Sequence, residues 1–109
     1  MKYLYCLMML CLMSSLAIAD DLERNTITSC AYQAGTAYEI QKIRQTEGDD
    51  WTTFEEKIKS IYKDTQGRKD ILTIGHRVYI YPVDTPLDEV HDDIFQACVE
   101  RQRGTEPLI

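Results

Sequence analysis

The chain is poor in the residues that build reaction centres. It has two histidines, His76 and His91, and they do not stand at the i,i+4 spacing of a zinc-binding helix. No glycine-rich phosphate cradle and no basic patch occurs. Beyond the amino-terminal stretch the only serines are Ser29 and Ser60, and neither sits in a nucleophile elbow. Asp49-Asp50 and Asp92-Asp93 are acidic pairs, but neither has the layout of a calcium loop. With no acid–base pair in evident reach, the expectation is a protein that is not an enzyme and uses no cofactor and no metal. An uncharacterised small secreted enzyme is the lower-ranked alternative.

A second long hydrophobic run is also missing. The one apolar run, Tyr3 to Met13, follows the positive Lys2 and is broken by Ser14-Ser15. Ala17-Ile18-Ala19 then places small residues just before Asp20-Asp21. This is the pattern of a cleaved secretory signal over residues 1–19, too short to span a bilayer comfortably. Cys11 is preceded by the bulky Met8-Met9-Leu10, whereas lipid attachment needs small residues there. The expectation is a periplasmic or secreted protein without a stable membrane anchor.

Signal removal leaves roughly 90 residues, a single domain whose core is marginal without a cross-link. It also removes Cys6 and Cys11. Only Cys30 and Cys98 remain, and in an oxidising compartment their pairing is the default. Two free thiols, or a bond to a partner, are the alternatives. Closing so long a loop is worth roughly 4 kcal/mol in the chain-entropy model. The net charge of −6 disfavours nucleic acid and anionic lipid and suits either plain solubility or a basic protein partner.

Four segments with helical period are punctuated by glycine or proline. The first runs from about Leu22 to Gln45. Ile27, Cys30, Ala31, Ala34, Tyr38 and Gln41 form one stripe, and Tyr32, Thr36, Ile40 and Ile43 form a second on nearly the opposite side. A helix apolar on two sides is either sandwiched between others or leaves its second stripe as a partner surface. The second segment opens at Trp51. Its expected caps are Thr52 with Glu55 or Thr53 with Glu56, its apolar face is Trp51, Phe54, Ile58, Ile61 and Tyr62, and Gly67 is expected to end it. Glu55 and Lys59 are spaced for an ion pair, and Trp51 is expected to pack over the helix start.

The third segment, Arg68 to Tyr81, reads as a helix that Pro82 ends, with Gly75 on the buried face to admit a close neighbour. His76 to Tyr81 also has strand character, so residues 68–81 remain open between helix and strand. The fourth segment carries Thr85 as cap, Pro86 at the first helical position, Asp88 and Glu89 in the first turn, and Gly104 as its stop. Leu87, Val90, Ile94, Phe95, Cys98 and Val99 form its apolar face. His91 falls on that face, where a satisfied, partly buried histidine is expected and a pH switch is the sharper reading. Residues 105–109 read as a loose tail. The fold class expected is all-α: one four-helix domain over residues 20–104, with the disulfide joining its first and last helices.

The run from Ser29-Cys30-Ala31-Tyr32 to Ile94-Phe95-Gln96-Ala97-Cys98 resembles a group of small exported proteins of Gram-negative bacteria and their phages. In these, a cysteine of the first helix bridges to one of the last. The group includes periplasmic immunity proteins of type VI amidase effectors and phage proteins that inhibit lysis or superinfection. The resemblance implies binding rather than catalysis. The chain departs from the immunity type in having one cysteine pair and no glycine-rich first helix, so no functional residue carries over. It is also similar to acid-stress periplasmic chaperones in being small, helical and acidic, but their cysteines are closer in sequence. In that alternative, protonating the 18 acidic residues at low pH would loosen the molecule.

The expected function is therefore a periplasmic protein that inhibits or neutralises a protein partner, such as a cell-wall hydrolase, toxin or phage component. The partner is expected to be basic, with a homodimer as the open alternative. The expected partner surface combines Glu89, Asp92, Asp93, Gln96 and Glu100 with aromatic anchors Tyr32 and Tyr79.

Overall fold

The computed structural model describes the backbone from Lys2 to Thr105 and the side chains from Arg24 to Gln102. Its elements are α1 (Lys2–Glu47), α2 (Trp51–Ile61), α3 (Gln66–Val78) and α4 (Leu87–Thr105). No strand occurs among the described residues. The side chains of residues 1–19, on which the signal reading rests, and residues 106–109 of the expected tail lie outside what is described.

The link from α1 to α2 is fixed by local chemistry. Gly48 has φ of 71°, the left-handed conformation that glycine adopts cheaply, and its N–H donates to the Arg44 carbonyl at 2.9 Å. Asp50 then caps α2, its carboxylate accepting from the Thr53 N–H at 2.8 Å. This replaces the expected Thr52 or Thr53 boxes: the helix starts at Trp51, so both threonines already lie within its first turn. Lys57 reaches back to Asp49 and Glu47, at 2.6 and 2.9 Å, and ties α2 to the end of α1. Glu55 and Lys59 do pair, at 3.5 Å.

α2 stops at Ile61, earlier than expected, and Gly67 lies in the first turn of α3 instead. Thr65 is the α3 cap, with the Arg68 N–H pointing to its hydroxyl at 3.4 Å. The ambiguous third segment is a helix to Val78. Tyr79, Ile80 and Tyr81 then turn, their N–H groups donating to the carbonyls of Gly75, Arg77 and Val78. Local carbonyls thus take the donors that a strand would have offered to a neighbour. α4 begins one residue later than expected, at Leu87, with Pro86 just ahead of it and the Pro86 carbonyl accepting from the Val90 N–H. It also runs past Gly104 to Thr105.

α1 packs against both α3 and α4, and α2 against α3. The buried core joins Ala37 and Ile40 of α1 to Phe54, Ile74, Val78, Val90 and Ile94. Cys30 and Cys98 are bonded, with Cα atoms 5.5 Å apart, and both are buried. The buried line of α1 is Thr26, Cys30, Ala34, Ala37 and Gln41. It is rotated from the expected stripe, so that Ile27 and Ala31 are exposed. The second stripe divides: Ile40 is buried, whereas Tyr32 and Ile43 face outward.

Gly75 is buried at the α2–α3 contact, as its place in the sequence predicts. A Cβ there would stand 2.7 Å from Phe54 Cε1 and 3.3 Å from Trp51 Cζ3. Trp51 packs among Phe54, His76 and Tyr79, with ring centroids 5.9, 5.2 and 5.5 Å away. Ile61 and Tyr62, expected on the same apolar face, are exposed.

Candidate interaction surface

α4 has one wet side and one dry side. Val90, Ile94 and Cys98 point inward, and Glu89, Asp92, Asp93, Gln96 and Glu100 are exposed. Helical period places Glu89, Asp93, Gln96 and Glu100 in one stripe, with Asp92 at its flank. Among the described residues no cation pairs with Glu89, Asp93 or Glu100. Asp92 is engaged: its carboxylate is 3.0 Å from His91 Nδ1. His91 is half-buried and meets the Tyr38 ring edge-on, with centroids 6.5 Å apart. That agrees with the satisfied histidine expected there.

The tyrosine whose hydroxyl feels this stripe is Tyr81, its ring packed against the core, rather than Tyr32 or Tyr79. Tyr81 is half-buried, and burial, reinforced by Asp93 and Glu89, holds its hydroxyl above the ordinary tyrosine range. Sequence reading passed it over because it follows the third helix, in a segment whose geometry was open.

Tyr79 is an internal anchor rather than a free one. Its ring packs against Trp51 and Phe54, and its hydroxyl donates to the Asp49 carbonyl at 3.1 Å. The Arg44 guanidinium lies 4.6 Å from the centre of the same ring. Burial raises the Tyr79 hydroxyl as well. Tyr32 is 61% exposed, and the grooves flanking it are lined by α1, α3 and Tyr62, not by α4. The expected pairing of Tyr32 with the acidic stripe is therefore not what the fold assembles.

A second feature that sequence reading missed is the polar lock behind the stripe. Gln41 is fully buried, and its amide donates towards the carbonyls of Pro82, Val83 and Thr85 at 3.4, 3.2 and 3.1 Å. Gln45 donates to Val83 and Thr85 at 3.0 and 2.9 Å. Arg44 donates to the Tyr81 carbonyl at 2.8 Å and approaches Gln41 Oε1 at 3.3 Å. One turn of α1 thus holds the loop that delivers the chain into α4. The available signal was Gln41 itself, a long polar residue lying on an apolar stripe.

Among the described residues, no group of three histidine, cysteine, aspartate or glutamate side chains is placed to hold a metal. Among the residues whose side chains are described, no helix is long and apolar enough to cross a membrane. No family model, curated protein or solved structure matches the chain.

Proposed function

We propose that this is an exported binding protein, periplasmic or secreted, that neutralises or inhibits a basic protein partner through the outer face of α4. The observation that carries the reading is the row Glu89, Asp93 and Glu100, exposed on one face without an internal cation to balance it. A helix fixed to α1 by the disulfide presents that row without having to order it on binding. Unpaired carboxylates on a rigid face steer a positively charged protein and fix its orientation. Tyr81 at the edge supplies an aromatic contact. Cell-wall hydrolases are the leading partner class, since many are basic, and toxins or phage components share the required chemistry. The disulfide supports an oxidising compartment.

The test is inhibition. The protein beginning at Asp20 is titrated into peptidoglycan digestion by a c-type lysozyme, a phage-type lysozyme and a muramoyl amidase. Stoichiometric inhibition of one of them, lost in the Glu89→Lys/Asp93→Lys variant with its helical circular dichroism intact, is the expected result. Equal inhibition by both forms, or none by either, would count against the reading.

A further inference from the structure

Arg77 stands apart from the other charged groups of the fold. It is half-buried near the end of α3, on a wall shared by two grooves. Among the described residues no carboxylate, carbonyl or hydroxyl accepts a hydrogen bond from its guanidinium. Burial and Arg101 of α4 together disfavour its charged form. A cation near a helix carboxyl end is favoured by the helix dipole. The dipole does not account for half-burying a guanidinium that no acceptor meets. Taking a guanidinium out of water without a partner costs free energy, and an oxyanion would return it through two parallel hydrogen bonds.

The groove between α1 and α3 has the lining for such a ligand. Ser29, Tyr32, Gln33 and Thr73 bring hydroxyl and amide groups, and Ile74 supplies an apolar floor. The lining also holds one carboxylate, Asp70, which stands two helical turns from Arg77 along α3 and accepts from the Gln66 amide at 2.9 Å. Tyr32, exposed and without an internal packing role as an anchor, forms an aromatic wall. We propose that this groove binds an organic carboxylate, with Arg77 as its anchoring cation and Tyr32 as the surface for the apolar part of the ligand. The carboxylate belongs either to a free small acid or to the carboxyl terminus of a peptide. This site is independent of the α4 face and stands or falls separately.

The experiment uses the disulfide-bonded protein beginning at Asp20. Nuclear magnetic resonance follows the Arg77 side-chain Nε–H and the Gln33 amide during titration with four probes. These are benzoate, benzamide, a short peptide with a free carboxyl terminus and the same peptide amidated. The expected result is saturable shifts with at least one carboxylate and none with its neutral counterpart, abolished in Arg77→Gln. A response to benzoate assigns a small-acid site, and a response to the free peptide alone assigns a chain terminus. Because Arg77 relinquishes stability in the empty site, Arg77→Gln is expected to melt at or above the wild-type temperature. Shifts that are equal for neutral probes, shifts that survive in Arg77→Gln, or no shift at all would overturn the proposal. A lower melting temperature for Arg77→Gln together with an unresponsive wild type would assign Arg77 to packing alone.

Discussion

At the scale of single residues, Gly75 sets how closely α2 can approach α3. Alanine is the better helix former by about 1 kcal/mol, so on an open helix Gly75→Ala would stabilise. Here the added methyl meets the Phe54 ring at 2.7 Å, inside any tolerated contact. The steric term wins, and a net loss of about 1–3 kcal/mol is expected in urea unfolding. Trp51 fluorescence should shift with it, since Trp51 lies against the same site. Glycine at this position was legible in the sequence because the helical stripe ran through it. Asp50 was not: the sequence offered threonines for the same role, and only the backbone shows which residue precedes the first turn. Asp50 accepts from the Thr53 N–H, which holds its carboxyl below the ordinary aspartate value of 3.8. Its contribution is therefore complete above that unfolded value and fades as pH falls through the lower folded one. Asp50→Asn keeps the cap without the titration, so part of the acid-side slope of stability should disappear in a pH series.

At the scale of elements, two devices fix α4 to α1. The first is the disulfide, closing a separation of 68 residues. Replacing both cysteines with alanine is expected to cost about 4 kcal/mol, read from the denaturation midpoint. Comparable loss should follow reduction, and unchanged stability on reduction would show that the pair is ornamental. The second device is the Gln41, Arg44 and Gln45 lock on the loop before α4. Gln41→Leu keeps the volume roughly and removes the amide. A loss of about 1–2 kcal/mol is expected, with earlier proteolysis between Pro82 and Thr85, because the Gln45 and backbone donors leave part of the loop satisfied. The two devices differ in how far the sequence announces them. Cysteines have one partner to find once Cys6 and Cys11 are set aside, whereas a glutamine gives no hint of which carbonyls it will meet forty residues on. The same asymmetry explains the third segment: its helix and strand patterns overlap, and the turn at Tyr79–Tyr81 depends on ring packing with Trp51 and Phe54.

At the scale of the whole molecule, packing and charge are separated. All four helices contribute to the core, and the row Glu89, Asp93, Gln96 and Glu100 faces away from it. The acidic row was legible because a helical period needs only the sequence. Its aromatic neighbour was not, because Tyr81 reaches it through a turn, while Tyr79 goes inside and Tyr32 lies beside α3. The central claim is that the row recognises charge. The most direct measurement is stopped-flow association with the hydrolase inhibited in the digestion panel, at rising salt. For the native protein, the association rate should fall by about tenfold or more as screening shortens the range of the field, while dissociation changes little. Glu89→Lys/Asp93→Lys should associate slowly at every salt concentration. An association rate indifferent to salt, or equal in the two proteins, would contradict the claim.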